Sequence, residues 1–522
     1  MLIKMDINAD YGLRWLKLPN GYISATAFLG EQYLDADGWT EILEKIKTPE
    51  DAAALVSRLN GSFAIVLEFA DTLFLCVDRQ RTIPLFYEIS DDTVTVYNHI
   101  GLDTIKQKGV DVEAVEFLEY CLFIPGEDTA AKGVRQVMAG QYLLIDCHGF
   151  VSQNTYTSDV QIEEYSDIDN LMTLIDQKFI ETTKRLITVL NGRRAVVPLS
   201  GGHDSRLLVY YLKHLGYDNI LTYTYGPKGN FESETSRKVA DFLGLEWHFV
   251  EYKSNVLRKF FRREFRNVAD YCSNGVSSVG LQEWYALHKL KEQGVITSDD
   301  LIIPGLSFDF IAGSFILHKH IEETPMNKEQ VFADICWKNF SEGKRNHSDA
   351  VRYRIRKVVD QTILASAPEI MDAQEAFRLY RRYITKERKA KYICNQVRLY
   401  EYHGFSWYLP LWDTELVDFW ESIPLKMKYN RQLFRDFTKY KYAPLMEAAP
   451  IHNEKLQGTK PPCMNPVWRV IRKAWRLVDC VGTHYCFAYF SRIKVYKVFF
   501  STKILAIGYM ASQEMKKLFL EE

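Results

Sequence analysis

The sequence predicts an α+β domain with antiparallel sheets, followed by a doubly wound α/β domain with a parallel sheet and a helical C-terminal part. Three observations predict it. Up to about residue 155, short β-rich runs are separated by turn signals at Asn60-Gly61, Ala70-Asp71 and Ser90-Asp91-Asp92. From about residue 165, strand patterns alternate with helix patterns, as parallel strands joined by crossover helices require. Beyond about residue 325 the patterning is mostly helical.

The elements follow in order. DAAALVSRL reads as a helix before the strands of LNGSFAIVLEF, LFLCVD, LFYEIS and TVTVYNH. VEAVEFLEYCLF has helical spacing, and AGQYLLIDCHGFVSQNTY reads as a closing hairpin. A polar patch, YTSDVQIEEYSD, marks the boundary near 155 to 168. The long helical pattern DIDNLMTLIDQKFIETTKRLITVL then leads to the strand AVVPLS. Helix DSRLLVYYLKHLG, strand NILTYTYG, helix ESETSRKVADFLG and strand EWHFVEY come next. DDLIIPG, at 299 to 305, reads as a further strand of the same sheet. No internal repeat or low-complexity segment interrupts the chain.

Composition narrows the function classes. A chain of 522 residues, 47% hydrophobic and 25% charged, is ordinary for a globular protein of two or more domains. A formal net charge of −2 gives no global field to attract nucleic acid. The nine cysteines include no CxxC and no metal-ligand spacing, which predicts structural thiols in a reducing compartment. MLIKMDINADYG has no apolar core of a signal peptide, and no uncharged run is long enough to span a bilayer. These features predict a cytoplasmic protein.

The chemistry concentrates in AVVPLSGGHDSRLLVYYLKHLG, residues 195 to 216. A strand ending in Ser200-Gly201-Gly202 and turning into a helix gathers backbone N–H groups at one point, an anion site. Gly201 and Gly202 let the backbone approach an anion with no Cβ in the way. Ser200 and Ser205 add hydroxyl donors. Asp204 would repel a phosphate by itself, but fits as a ligand of Mg²⁺ beside a polyphosphate. A helix cap at Asp204 or Ser205 would use the same residues. His203 fills the remaining position and is expected to face solvent.

SGGHDS resembles the pyrophosphate loop of the ATP pyrophosphatases, which cleave ATP between the α- and β-phosphates and adenylate a substrate. It is not a Walker loop. LNGSFAIVLEF, LFLCVDRQRTIPLFY and KGVRQVMAGQYLLID resemble, in order, the N-terminal domain of asparagine synthetase. YTYGPKGNFESETSRKVADFLGLEWHFVE resembles the segment after that family's loop. IIPGLSFDFIAGS is similar to its SGEGxDExxGGY loop, and YLPLWDTELVDFWESIP to its PFLD motif and the following helix. The likeness runs over roughly residues 55 to 460 and extends to the β-lactam synthetases and lasso peptide cyclases.

The resemblance implies three parts. Residues 1–158 would form a degenerate glutamine amidotransferase-like domain, an Ntn-hydrolase-like antiparallel sandwich. Residues 165–465 would form the asparagine synthetase-like ATP pyrophosphatase domain, and 466–522 a helical basic-aromatic extension. ATP and Mg²⁺ are the implied cofactors. Leu199, Ser200, Gly201, Gly202, Asp204, Ser205, Tyr225, Gly226 and Gly305 are the implied nucleotide-binding residues. Asp204 and Asp309 are the implied metal ligands, and Lys455 or Lys460, in NEKLQGTKPP, the implied catalytic lysine.

Departures from the family's pattern carry information as well. Glutamine-using members place a cysteine directly after the initiator Met; here Leu2 stands there and the first cysteine is Cys76, in an apolar strand pattern. No glutaminase activity is therefore expected. The glutamates of SGEGxDE fall on Leu306 and Phe310, which disfavours the usual amidation of aspartate. Glu232 and Glu234 open a helix and fit its positive end, and at least one of them is expected to cap it. Glu401 and Tyr402 are candidates to line an acceptor pocket and replace the missing base.

The expected function is an ATP-dependent amide-forming ligase acting on a small-molecule or peptide carboxylate and an amine or ammonia. A catalytically silent nucleotide-binding scaffold of the same family is the alternative. A nucleic-acid-modifying pyrophosphatase is disfavoured by charge and by the lack of paired cysteines. The tail WRVIRKAWRLVDCVGTHYCFAYFSRIKVYKVFF interleaves basic and aromatic residues. It is expected to cap the fold, with weak membrane-surface contact as the other reading. A homodimer is compatible with all of this.

Overall fold

Alternation along two strands organises the N-terminal part. Phe63, Ile65 and Leu67 of Leu59–Glu68 and Phe74 and Cys76 of Thr72–Val77 join one core, beneath the helices Ala36–Glu44 and Pro49–Val56. Ala64, Val66, Leu73, Leu75 and Val77 point the other way, into the main core. The period of two leaves each face of the sheet apolar, so both must be covered. The computed structural model describes residues 2–7, 14–322, 324–340, 348–450 and 504–521.

The sheet built on these strands has seven members. Its main path runs Val151–Thr155, Gln141–Asp146, Thr72–Val77, Leu59–Glu68, Gly21–Leu29 and Leu16–Leu18, every pair antiparallel, with Gln32–Tyr33 added to Gly21–Leu29. A four-stranded sheet, Leu2–Asp6, Thr93–Tyr97, Phe86–Ser90 and Arg135–Gln136, contributes Phe86, Val94 and Val96 to the main core. It corrects the expectation of purely antiparallel sheets, because Leu2–Asp6 pairs parallel to Thr93–Tyr97.

The long helix Ile168–Leu190 follows, capped by the Asp167 carboxylate on the N–H groups of Asp169 and Asn170. Leu171, Ile175, Phe179, Leu186, Val189 and Leu190 form its buried stripe. Beyond it lies a five-stranded sheet ordered Glu246–Glu251, Ile220–Gly226, Ala195–Pro198, Leu301–Ile302, Ser406–Trp407, all parallel. From Ala195–Pro198 the chain first adds strands on one side, then returns to the other. Ala195–Pro198 and Leu301–Ile302 therefore flank the point where strand order reverses. In open α/β sheets, ligands bind in the crevice at such a point.

The C-terminal part is helical as expected, with two exceptions. Ser406–Trp407 joins the parallel sheet, and Met326–Asn327 pairs with Ile370–Met371. The last helix, Ile504–Glu521, returns to the N-terminal part. It buries Met515, Leu518 and Phe519 near the short helices Val112–Glu116 and Leu118–Cys121, and Lys516 pairs with Glu119 at 2.7 Å. The basic-aromatic stretch 468–500 lies outside the described residues. Among the described residues, no helix is long and apolar enough to cross a membrane.

Candidate active site

The loop after Ala195–Pro198 and the loop after Leu301–Ile302 meet at the carboxyl ends of their strands. Leu199, buried, continues the strand by donating its N–H to Tyr223. Ser200 N–H donates to the Ser205 hydroxyl at 3.1 Å, and Gly202 N–H donates to the Ser200 hydroxyl at 3.2 Å. The two hydroxyls lie 3.2 Å apart. This folds the loop back on the helix His203–His214. Gly202 is its N-cap and supplies no side-chain cap, and Asp204 and Ser205 do not cap it either. The first-turn N–H groups are thus left for a ligand.

The second loop closes on the first. Asp309 N–H donates to the Asp204 carboxylate at 3.2 Å, and the Ser314 hydroxyl donates to the Asp309 carboxylate at 3.0 Å. A Cβ on Gly305 would lie 2.7 Å from Ser205 N and 3.0 Å from Ser205 Cα, so only glycine allows this approach. Gly305→Ala should destabilise the protein by about 1–3 kcal/mol and weaken nucleotide binding together. Chemical denaturation and calorimetry check this; nucleotide affinity unchanged in a destabilised variant would separate the two loops functionally.

Burial, then the charge of Asp309, pushes the Asp204 carboxyl up to about 7. The charge of Asp309 makes ionising Asp204 costly, and a bound cation would relieve that cost. Among the described residues, no cluster of three or more His, Cys, Asp or Glu side chains could hold a metal by itself. Mg²⁺, however, is commonly held by one or two carboxylates with phosphate oxygens completing its shell, so the donor pair fits that ion. The loop is also surrounded by positive charge. Burial and then Arg206, Arg431, Arg435 and Lys439 depress His203 to about 3.

Tyr225 and Gly226 end the neighbouring strand, beside this crevice. The Tyr225 ring stacks on Tyr252 at 5.2 Å, and Gly226 has φ +139°. A Cβ there would lie 2.7 Å from the Asn230 side chain, which caps the next helix through Ser233 N–H. Asn230, not Glu232 or Glu234, is therefore the capping residue. His203 also departs from expectation: it is buried, 5.5 Å from the Phe434 ring.

A family model described as asparagine synthase matches residues 189–461, just over half of the chain. The chain belongs to the asparagine synthase family. The matched stretch contains both loops, and also Lys455 and Lys460, which lie outside the described residues. A 7-cyano-7-deazaguanine synthase from Staphylococcus aureus is 32% identical over 65 residues, 12% of this chain and 29% of that protein. The chain thus spans less than a third of the length of that curated relative. An NH3-dependent NAD synthetase from Campylobacter jejuni aligns at 13% identity and TM-score 0.22, over 42% of this chain and 95% of its own. A glutamine phosphoribosylpyrophosphate amidotransferase from B. subtilis aligns at 11% identity and TM-score 0.19, over 45% and 72%. At such TM-scores, neither likeness adds to the family assignment.

The family's SGEGxDE loop can now be placed in space. Ser307, where the motif has its second glycine, holds φ +70°, a conformation glycine adopts without cost. Its hydroxyl accepts from the Lys389 ammonium at 3.2 Å. Lys389 is buried, with its Nζ 4.8 Å from the Phe310 ring centre and 5.1 Å from that of Phe315. Burial lowers its pKa to about 8, against the pull of Asp309 and Asp204. A cation thus stands beside the position where the motif has glutamate. Sequence reasoning missed it because KERKAKY reads as a solvated basic run. The π-helical turns of Thr385–Ile393 bury Glu387, Arg388, Lys389 and Lys391 instead.

Glu401 is not an acceptor-pocket base. Its buried carboxylate accepts from Tyr271 at 2.7 Å and Trp407 at 2.6 Å and pairs with Arg398 at 2.8 Å. Cys76 is a core thiol, as expected, and burial raises its pKa well above the usual range.

Proposed function

We propose that the chain is an ATP-dependent carbon–nitrogen ligase that adenylates a carboxylate. A carboxylate oxygen of the substrate attacks the α-phosphorus of ATP, and the bond to the β-phosphate oxygen breaks to release pyrophosphate. An amine or ammonia then attacks the acyl-adenylate, giving an amide and AMP. The observation that carries this reading is the meeting of Asp204 and Asp309 across a glycine loop at the strand-order reversal, in a chain of this family.

The roles follow from chemistry. Ser200, Gly201, Gly202 and Ser205 would cradle the pyrophosphate through N–H groups and hydroxyls. Leu199, Tyr225 and Gly226 would border the nucleoside. Asp204 and Asp309 would hold Mg²⁺, whose charge offsets that of the departing pyrophosphate. Lys389, with Lys455 or Lys460, would offset charge developing at the α-phosphate. Lys389→Met should lower turnover about 10- to 100-fold with little change in nucleotide affinity, read by steady-state kinetics and calorimetry. A fall in nucleotide affinity alone would make Lys389 a binding residue instead.

The N-terminal part is proposed as an Ntn-hydrolase-like sandwich without glutaminase activity. Burial raises the thiol pKa of Cys76 and of Cys121, which leaves neither a ready thiolate. Its polar contacts tie it to the rest of the protein. Arg79 pairs with Asp418, Gly126 N–H donates to Glu387, and Arg398 donates to the Thr82 carbonyl.

Carboxylate-dependent ATP–pyrophosphate exchange with Mg²⁺ tests the reading, using a panel of amino acids, sugar acids and small peptides. Exchange that requires one acid class supports it. ATP binding without exchange for any acid favours the silent nucleotide-binding scaffold, which Leu306 and Phe310 in place of the glutamates also favour, and absence of ATP binding contradicts both readings.

A further inference from the structure

A polar pocket of about 130 Å³ lies between the N-terminal part and the helices from Gln374 onward. None of its wall residues belongs to the glycine loop or to the Asp309 loop. The carboxylates of its wall are each held by an arginine of the same wall: Asp418 by Arg79 at 2.8 Å, Asp159 by Arg382 at 2.6 Å, and Glu421 by Arg381. Positive charge is left over. Lys428 is buried and donates only to the Trp420 and Glu421 carbonyls. Lys386 is half-buried, and among the described residues it makes no ion pair or hydrogen bond. Burial lowers the pKa of both lysines, that of Lys428 to about 7.

Two neutral donors of the same wall also lack acceptors. The Trp412 indole N–H, on a side chain only 4% exposed, and the Thr385 hydroxyl are buried without a hydrogen-bond partner. Thr385 and Lys386 are neighbours at the start of the π-helical turns Thr385–Ile393. A buried donor without an acceptor is destabilising, and a buried cation without an anion more so. Both faults are removed by one bound oxyanion, which accepts from several donors at once and supplies the missing charge.

We propose that this pocket is an effector site for a phosphate group, separate from the glycine loop and independent of the ligase chemistry. Its volume suits one tetrahedral oxyanion. Its wall draws on both parts of the chain, with Arg79 and Thr157 on one side and Thr385, Lys386 and Lys428 on the other. The bound group therefore ties the two parts together and stabilises the folded chain. Free inorganic phosphate and the end of a phosphomonoester present the same chemistry to these donors.

The test is calorimetry on the full chain, with Mg²⁺ and an excess of an ATP analogue whose α–β bridge cannot be cleaved, to keep the probes out of the glycine loop. The probes are inorganic phosphate, glycerol phosphate and acetate at equal ionic strength. Inorganic phosphate or glycerol phosphate should bind at least about tenfold more tightly than acetate. Lys386→Met should abolish that preference and Lys386→Arg should keep it, with analogue affinity unchanged in both. Tighter binding of inorganic phosphate supports the free ion as occupant, and equal or tighter binding of glycerol phosphate supports a phosphomonoester. Thermal unfolding gives a second readout. Phosphate stabilises proteins in general by exclusion from their surface, so the expected result is a larger rise in Tm for wild type than for Lys386→Met. No phosphate binding, acetate bound as tightly as phosphate, or a preference or Tm rise that survives intact in Lys386→Met overturns the proposal.

Discussion

Asp204→Asn lowers carboxylate-dependent ATP–pyrophosphate exchange at least ~100-fold, the scale on which loss of one preorganised charge-stabilising group is felt. The same substitution stabilises the ligand-free protein at alkaline pH. The Asp204 carboxyl is pushed up to about 7, first by burial and then by Asp309. A carboxyl raised in this way holds more protons folded than unfolded between its ordinary pKa, about 4, and about 7. Stability therefore falls as pH rises through that window, and the loss is complete above it. Asparagine keeps an acceptor for the Asp309 N–H but carries no charge, so it escapes the loss. Thermal unfolding without nucleotide or metal should show Asp204→Asn more stable than wild type at pH 8, with the gap closing toward pH 4. A variant less stable at pH 8 would contradict the charge crowding on which the site is built.

Asp413→Ala has the largest expected effect on stability, up to about 3–5 kcal/mol, because it leaves a buried arginine with only its longer pairs to the more exposed Glu415 at 3.3 Å and Glu31 at 3.7 Å. Asp413 ends the PLW-Asp run that resembles the family's PFLD motif. Both it and Arg185 are nearly inaccessible, at 2% and 3% exposure. Arg185 donates to both carboxylate oxygens, at 2.7 and 2.9 Å, from the long helix Ile168–Leu190. The Asn60 amide, on the seven-stranded sheet, donates to Asp413 at 3.0 Å and accepts from Thr414 N–H at 2.8 Å. Asp413 also caps Thr414–Ser422 through Leu416 N–H, worth about 1 kcal/mol within that total. One carboxylate thus pins three elements from both parts of the chain. Denaturant midpoints check the loss, and a paired Arg185→Met, Asp413→Leu variant should recover much of it, since no charge is then left unpaired.

The parts legible in the sequence are those carried by local pattern. AVVPLSGGHDS announced both its strand and its turn, because glycines and a β-branched run act within a few residues of one another. Asp309 was singled out through a spaced motif, and the structure sets its backbone N–H on the Asp204 carboxylate. What stayed hidden depends on distant partners. Ser406–Trp407 is too short to carry a strand period and becomes a strand only beside Leu301–Ile302. Leu2–Asp6 pairs with Thr93–Tyr97 across a gap no local signal marks. Lys389 is one lysine of a basic run until the π-helical turns bury it against Phe310. Glu401 looked available for chemistry because its partners Tyr271 and Arg398 cannot be read from its neighbours.

The position at which ATP is cut tests the central claim most directly. Phosphorus NMR of the full chain with ATP, Mg²⁺, ammonia and the panel of candidate carboxylates resolves the products. The account predicts AMP and pyrophosphate, formed only with the matching acid and lost in Asp204→Asn. Formation of ADP and inorganic phosphate instead would mean that the glycine loop serves γ-phosphoryl transfer, and would contradict it.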